Sequence, residues 1–516
     1  MKDQLSLLDQ GNQSVDQKTV ARRQEEISRR YFLKQAAFVA AALACPFPVL
    51  ADPYAPQTDA PVAVAPVRIR GRVMAGARGV SRVAVTCGLT VVATDRDGRF
   101  ELVTSTRQPF VSLSVPDGYA IPKSATGTAR FYQRIQPNRA GEMEVRFDLV
   151  PAPASDRHAF LVLADTQTQN TYETGLLHAE TTPDVQETVR SLGDRPVFGL
   201  TCGDIMFDDL SLYPEYERAV ALIGIPFYQV IGNHDLDHEP SDDSSAQTFG
   251  SHFGPTYYSF DRGAVHYVVL DNVFWHGTGY IGYLTGAQLN WLAQDLARVE
   301  KGRTIVVFNH IPTFTSRHIR EGGTPSISNT TTNREQLYHL LEPYKAHLIS
   351  GHTHEHEHVL EGGVHEHVTG AVCGAWWSGP ICWDGTPNGY GVYEVNGSDL
   401  RWRYKATGKE AAYQMRVYPR GSDPKAPDDI VVNVWDADPE WTVVWYEDGM
   451  RKGPMSRRTG TDPLSEKLHR GAALPERRPW VDPVPTNHLF YAPVSATAKS
   501  VKIEATDRFG RVYYEK

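Results

Sequence analysis

Five apolar runs that each end in polar, metal-binding residue types constrain the fold of this chain more than any other feature. The ends of the runs read Ala164-Asp165-Thr166-Gln167, Thr201-Cys202-Gly203-Asp204, Ile231-Gly232-Asn233-His234-Asp235, Phe308-Asn309-His310 and Ser350-Gly351-His352-Thr353-His354. Helical stretches such as 183–191, 213–223 and 286–299 lie between them, and strands that alternate with helices predict an α/β layered domain. Because sites in α/β sheets form at the carboxyl ends of strands, we expect the five ends to meet at one rim.

The side chains at these ends form a set that suits metal ions. Carboxylate, amide and imidazole donors together fit two divalent or trivalent metals. Gly203, Gly232 and Gly351 precede three of the donors and allow sharp turns that aim the next side chain into the site. A single Asp after a strand is usually a turn former or a helix cap, so the prediction depends on all five elements occurring in order.

Taken in order, these motifs resemble the calcineurin-like metallophosphoesterases, with Gly232–Asp235 and Gly351–His354 as the most specific parts. The resemblance covers residues 157–406 and implies an α/β fold, a four-layer β-sandwich flanked by helices. It implies that Asp204 bridges two metals such as Mn, Fe or Zn. Asp165 and His354 would hold one metal, and Asn233, His310 and His352 would hold the other.

The implied activity is metal-dependent hydrolysis of phosphate monoesters or diesters. His234 would stand beside the metals as general acid, because imidazole titrates near neutral pH. Asp235 would orient it, by analogy with other His–carboxylate pairs. The substrate would be a phosphorylated small molecule or a phospho-conjugate.

The chain departs from the family pattern in two motifs. Gln167 stands where the family has His, and we expect its amide oxygen to be a weaker metal ligand than imidazole. Asp208 and Asp209 lie one or two positions from the common spacing, so we expect both to be structural.

Three other functions are alternatives to phosphate ester hydrolysis. A non-catalytic binding protein that retains the fold is the main alternative, and Gln167 is the residue that favours it. A metallo-β-lactamase-type hydrolase would need Asp then His after His354, where the chain has His356-Glu357. A redox enzyme would need a cysteine cluster or a dinucleotide loop, and the sequence has neither.

Segments rich in short strands flank the central region. Residues 52–65 are rich in Pro and Ala and indicate a linker. Residues 66–153 show short alternating strands between turn signals, which predicts a small antiparallel β-sandwich. Strands return in 407–516, which we expect to be a β-rich domain closed by a hairpin. This arrangement is similar to that of a secreted subfamily.

Residues 1–51 are expected to be a twin-arginine signal peptide. Ser28-Arg29-Arg30-Tyr31-Phe32-Leu33-Lys34 precedes an uncharged run, 36–50, and a small-residue cleavage site at Ala51. The run is shorter than the roughly 20 residues that span a bilayer, so we expect no transmembrane segment in the mature protein. The twin-arginine export machinery would be a partner, and the protein would be periplasmic or secreted. Export permits disulfides, and the near pair Cys373 and Cys382 could be bridged or free.

The histidines are unusually clustered in the sequence. Fifteen of the 19 histidines fall between His234 and His367, more than the motifs use. We expect most of the surplus, His356, His358, His365 and His367, to line solvated strand faces. The net charge of −9 argues against a general nucleic-acid-binding surface. We therefore expect phosphate to be bound by metals and not by a basic surface. The loop 375–379 is either a substrate wall or loop packing.

Overall fold

The computed structural model describes residues 65–239 and 241–515. The expected signal peptide and nearly all of the linker lie outside the described residues. Within 64–516 the chain forms one compact unit, so the domain boundaries drawn from the sequence stay predictions. In the described part, no helix has the length and apolar character needed to cross a membrane.

The first segment forms two four-stranded sheets. Its strands are β1 (Pro66–Ala75), β2 (Arg78–Gly79), β3 (Ala84–Thr86), β4 (Val91–Ala93), β5 (Arg99–Ser105), β6 (Phe110–Leu113), β7 (Tyr132–Arg134) and β8 (Glu142–Asp148). In one sheet β1 pairs antiparallel with β2 and β5, and in the other the order is β4-β3-β6-β7. The expectation of an antiparallel sandwich was wrong for one pair, because β8 runs parallel to β1.

The central segment is built on two larger sheets. Its strands are β9 (Arg157–Leu163), β10 (Val197–Cys202), β11 (Phe227–Val230), β12 (Tyr258–Arg262), β13 (Val265–Val269), β14 (Val273–Trp275), β15 (Tyr280–Gly282), β16 (Thr304–Phe308), β17 (Lys345–Ser350), β18 (Glu357–Glu361), β19 (Val364–Val368), β20 (Gly389–Asn396) and β21 (Asp399–Ala406). One sheet has the order β11-β10-β9-β20-β21, and the other has β12-β13-β16-β17-β19-β18. Strands β14 and β15 form a separate hairpin.

Helices cover the outer faces of both sheets. They are α1 (Thr171–Leu176), a π-turn (Leu177–Thr181), α2 (Thr182–Ser191), α3 (Tyr213–Ile223), α4 (Gln247–Phe253), α5 (Gly286–Leu296), α6 (Arg317–Glu321) and α7 (Arg334–Leu341), with short 3₁₀ turns at Leu210–Leu212, Asn233–Asp235 and Asp242–Ser244. Apolar side chains of α2, α3 and α4 pack on the first sheet, and those of α5 and α7 pack on the second. This gives four layers, helix–sheet–sheet–helix, and confirms the expected fold.

An aromatic core joins the two sheets. The ring of Phe198 lies 5.3 Å from that of Tyr267, and Phe160 lies 5.8 Å from Phe308, with both pairs edge to face. These four side chains are at most 2% exposed. Such pairs add about 0.5–1.5 kcal/mol each beyond their buried area, so they fix how the two sheets face each other.

The last segment forms two more four-stranded sheets. Its elements are β22 (Arg416–Tyr418), β23 (Asp429–Asn433), β24 (Thr442–Glu447), β25 (Met450–Pro454), β26 (Ser456–Thr461), α8 (Pro463–His469), β27 (Pro485–Pro493), β28 (Val501–Thr506) and β29 (Val512–Glu515). The orders are β22-β23-β27-β26 and β25-β24-β28-β29. Strands β28 and β29 pair antiparallel, which confirms the expected closing hairpin.

The surplus histidines lie inside the protein, so the expectation of solvated strand faces was wrong. His356 is 4% exposed, His365 8% and His367 0%. The ring of Trp402, on β21 of the opposite sheet, packs 4.5 Å from His367 and 5.1 Å from His365. Alternation along a strand shows which residues share a face, but it does not show whether another sheet covers that face.

Hydrogen bonds fix the tautomers of three of these histidines. Arg508 donates to His365 Nδ1 (3.2 Å), so His365 donates through Nε2 to His358 Nδ1 (3.2 Å), and His358 donates to Asp436 (2.9 Å). From the other side, the backbone N–H of Gly370 donates to His356 Nδ1, and His356 Nε2 donates to Asp436 Oδ1 (3.0 Å). Both ring nitrogens of each histidine are therefore hydrogen-bonded, and the bonds to Arg508 and Asp436 join the central segment to the last one.

This cluster predicts that stability falls at mildly acidic pH. Burial lowers the pKa of His347 to about 4 and that of His365 to about 2, with Arg508 adding to both shifts. The unfolded chain takes up protons below about pH 6.5, whereas His347 and His365 stay neutral in the folded protein until lower pH. Each such histidine then removes up to about 1.4 kcal/mol of unfolding free energy per pH unit as pH falls from 6.5 towards its folded pKa.

Denaturant unfolding at pH 7, 6 and 5 measures this slope. His365→Gln is expected to flatten it, whereas His339→Gln, at a side chain 83% exposed, is expected to leave it unchanged. A slope that is the same in all three proteins would contradict the assignment.

Candidate metal centre

The five strand ends meet at one rim, but they come from both sheets. Strands β9, β10 and β11 of the first sheet and β16 and β17 of the second end there. Contacts of 2.9–3.6 Å link the seven predicted ligands into one group. The seven residues are Asp165, Gln167, Asp204, Asn233, His310, His352 and His354.

Asp165 and His354 form one side of the group, as the resemblance implied. Asp165 Oδ1 lies 3.6 Å from His354 Nε2. The backbone N–H of His352 donates to Asp165 Oδ2 at 2.9 Å, which ties the end of β9 to the loop after β17. The two residues predicted to share a metal therefore face each other across the two sheets.

The other side is formed by Asp204, Asn233, His310 and His352. His310 Nε2 lies 3.2 Å from Asp204 Oδ1, 3.1 Å from Asn233 Oδ1 and 3.2 Å from His352 Nδ1. Ligand atoms of Asp204, His310 and His352 all lie within 4.8 Å of one another. Asp204 also accepts from the Gln167 amide at 3.2 Å, so it stands between the two sides, where a bridging ligand belongs.

Backbone carbonyls set the tautomers of two ligand histidines. His310 Nδ1 donates to Cys202 O at 3.0 Å, and His354 Nδ1 donates to Gly374 O at 2.7 Å. Because a carbonyl can only accept, each ring carries a proton on Nδ1 and directs its Nε2 into the centre. This is the tautomer that binds a metal through Nε2.

The charge of the centre also fits metal ions. Asp165 and Asp204 are 0% and 1% exposed. Burial raises the pKa of Asp165 to about 8, whereas His310 and His234 hold the pKa of Asp204 below its usual range. Burying two carboxylates is costly unless cations face them, and the donor set here suits two metal ions.

Backbone strain is concentrated at the same residues. The left-handed region is occupied by Asp165 (φ 49°), Gln167 (39°), Asp204 (46°), His352 (71°) and His354 (53°). Residues other than glycine rarely adopt this conformation, and each instance costs about 1–3 kcal/mol. Five of the seven predicted ligands therefore depend on the surrounding structure to hold them.

The three motif glycines serve two different purposes. Gly203 has φ +81°, as a turn requires, and a Cβ there would overlap His310. Gly232 (φ −113°) and Gly351 have ordinary backbones, so the expectation that they allow sharp turns was wrong. A Cβ on Gly232 would overlap Asp204, and one on Gly351 would overlap Asp165. These two glycines provide room for the carboxylates.

Asp208 contacts the imidazole of His234, and Asp235 does not take the predicted orienting role. His234 Nδ1 lies 2.7 Å from Asp208 Oδ1. The Asp235 carboxylate instead accepts backbone N–H groups of Ile205, Met206 and Gly232. It therefore fixes the loops after β10 and β11. The sequence spacing of Asp208 differs from the family motif, so a structural role was expected. A left-handed backbone at Asp208 (φ 65°) places its carboxylate beside His234.

His234 is set up to hold a proton at the edge of the centre. Its side chain is 25% exposed and the Phe207 ring packs 4.4 Å from it. Burial alone would lower the pKa of His234, but the Asp204 and Asp208 carboxylates hold it above its ordinary value.

The loop 375–379 combines packing with a place at the centre. Trp377 is 7% exposed and donates through Nε1 to Thr166 O, which is packing. Trp376 stacks on the ligand histidine His354 with centroids 4.1 Å apart. Cys373 and Cys382 are both buried and form no disulfide with each other, so of the two alternatives the structure has free thiols.

Family models match three consecutive parts of the chain. Residues 158–356 match calcineurin-like phosphoesterase, 67–152 its N-terminal part and 366–513 its C-terminal part. The chain belongs to the calcineurin-like phosphoesterase family, as the motifs indicated.

Individual relatives are more distant. The chain is 28% identical over 204 residues to the serine/threonine-protein phosphatase CPPED1 of Mus musculus, covering 38% of this chain and 64% of that protein. It is 26% identical over 266 residues to purple acid phosphatase 23 of Arabidopsis thaliana, covering 44% and 54%. The chain thus spans less than two thirds of each relative.

Two solved structures are similar in part. A dimetal phosphatase from Danio rerio is 14% identical with a TM-score of 0.33, covering 48% of this chain and 97% of that chain. Purple acid phosphatase PPD1 from yellow lupin seeds is 14% identical with a TM-score of 0.37, covering 66% and 67%.

Gly351→Ala is expected to reduce metal binding. Its methyl group would displace the Asp165 carboxylate, so the purified variant should retain fewer metal ions per chain, measured by elemental analysis after gel filtration. Gly323→Ala is the matched control, because its Cβ would meet nothing within 4 Å. Equal metal content in both variants and the wild type would contradict the steric role of Gly351.

Proposed function

We propose that this chain is a phosphoric ester hydrolase that works with two metal ions. The observation that carries the proposal is the convergence of seven ligand-type side chains, with Nε2 of His310 and His354 directed inward by carbonyl-bound Nδ1 atoms. Family membership and the phosphatase names of its relatives support it. The donor set is compatible with manganese, iron or zinc, and with both monoesters and diesters.

When bound, two metals lower the pKa of a water molecule between them and neutralise charge on the phosphoryl oxygens. Asp204 would touch both ions, Asp165, Gln167 and His354 would hold one, and Asn233, His310 and His352 would hold the other. Gln167 is 2% exposed and its amide faces Asp204, so rotation about its last bond brings the oxygen to the same place.

His234 would supply the proton that the leaving group needs. Asp208 accepts from Nδ1, which leaves Nε2 as the nitrogen that holds and releases the transferred proton. A pKa raised by the Asp204 and Asp208 carboxylates keeps the imidazole protonated closer to neutral pH. Asp208 acts through His234 and is therefore a positioning residue.

Metal removal tests the proposal directly. Purified protein is assayed on aryl phosphate mono- and diesters after chelation and after addition of manganese, iron or zinc. Chelation is expected to lower kcat/KM by at least about 100-fold and metal to restore it, because several kcal/mol of charge stabilisation depend on the ions. Hydrolysis that survives complete metal removal would contradict the proposal. A protein that lacks a second metal and shows no chelator-sensitive hydrolysis would support the binding-protein alternative.

His234 and Asp208 give a second, independent prediction. On an alkyl phosphate, His234→Ala is expected to lower kcat by about 10²–10⁴-fold with both metals retained, because general acid catalysis is lost. Asp208→Asn is expected to lower kcat by about 10-fold with little change in KM. Asp209→Asn is the control, because Asp209 caps the turn at Ser211 and does not contact His234. Near-full turnover by His234→Ala would exclude His234 as the general acid.

A further inference from the structure

A segment of the C-terminal domain reaches the metal centre. Residues 471–484 connect α8 to β27, and Trp480 lies within this segment. The indole of Trp480 packs on that of Trp376 with centroids 4.7 Å apart, and Trp376 stacks on the ligand histidine His354. A side chain of the last domain is therefore two contacts away from His354, a predicted metal ligand.

The same segment also reaches the general acid. The Arg478 guanidinium lies over the Phe207 ring, 5.2 Å from its centroid, and Phe207 packs against His234. Arg478 donates to Gln169 at 2.9 Å, two residues after Gln167. Residues 478–480 thus contact two aromatic side chains at the border of the centre, Trp376 beside His354 and Phe207 beside His234.

Ion pairs hold the segment against the central part of the chain. Arg477 and Arg478 both face the carboxylate of Glu173, at 3.9 and 3.2 Å. Glu173 is 0% exposed, so these contacts tie residues 477–480 to a buried residue of the central segment.

Trp480 offers an uncovered aromatic face. Its side chain is 56% exposed, although it lies against Trp376. The planes of the two indoles are inclined at 56°, so the rings are not stacked face to face and more than half of Trp480 is accessible to another molecule. A large exposed aromatic side chain next to a catalytic site is a stacking surface, because aromatic rings gain free energy from contact with one another beyond the area they bury.

We propose that residues 477–480 form one wall of the substrate site and select phosphate esters with an aromatic leaving group. Trp480 stacks on the ring of that group, and the ion pair of Arg478 with Glu173 holds the segment that carries Trp480 in place. This inference rests on the proposed function. It adds a specificity determinant that the metal ligands do not provide, since they contact only the phosphoryl group.

A pair of substrates matched in size isolates the aromatic contact. Benzyl phosphate and cyclohexylmethyl phosphate release alcohols of similar acidity and bulk, and only the first contains an aromatic ring. Trp480→Ala is expected to raise KM for benzyl phosphate by about two- to tenfold and to leave KM for cyclohexylmethyl phosphate within about twofold. Values of kcat should stay close to wild type on both.

Two further variants and a binding measurement complete the test. Trp480→Phe keeps a ring face and is expected to retain most of the preference. Tyr514→Ala removes a 54% exposed aromatic of the same domain outside the segment and is expected to change neither KM. Calorimetric binding of benzylphosphonate to metal-loaded protein should weaken in Trp480→Ala by the same factor.

The outcomes separate this inference from the proposed function. Equal effects of Trp480→Ala on the two esters, or no effect on phosphonate binding, would overturn the aromatic wall while leaving hydrolysis intact. If the wild type hydrolyses neither ester but its phosphonate binding still depends on Trp480, the result supports residues 477–480 as a wall of the substrate site and contradicts the proposed reaction.

Discussion

Two buried carboxylates, Asp165 and Asp204, impose the requirement that the rest of the centre meets. Negative charge with almost no access to water is stable only beside cations and donors. His310, the backbone N–H of His352 and the amide of Gln167 supply part of this at the strand ends. The donors converge only if five strands from two sheets end together, so the sheet packing serves the electrostatics of the rim.

The same requirement explains where the strain is placed. Five ligands adopt left-handed backbones, and Gly232 and Gly351 are needed for space beside the carboxylates. Conformations that cost about 1–3 kcal/mol each persist only where packing over-determines them. The aromatic core around Phe160, Phe198 and Tyr267 provides that packing directly below the rim.

The sequence predicted the parts of the structure that local patterns encode. Apolar runs and helical periodicity identified the four-layer domain, and the residues at strand ends predicted the polar side chains that meet at the rim. Asp208, Arg478 and Trp480 were missed as neighbours of the site because tertiary contacts bring them there. Asp208 needs a left-handed turn, and the other two come from a segment more than 200 residues further along the chain than the Asp208 turn. The parallel pairing of β8 with β1 and the burial of His365 and His367 also depend on which surfaces meet.

The turn at 507–511 has a consequence for how the protein is made. Phe509 packs 4.8 Å from Trp402, Arg511 donates to the backbone carbonyl of Trp402, and Arg508 donates to His365. Ribosomes release a chain from its amino end, and domains commonly fold in that order. Here the central domain cannot close over its histidines until Arg511 has emerged. Its final packing therefore depends on the last segment, and intermediates that lack this turn expose Trp402 and the histidine cluster to water.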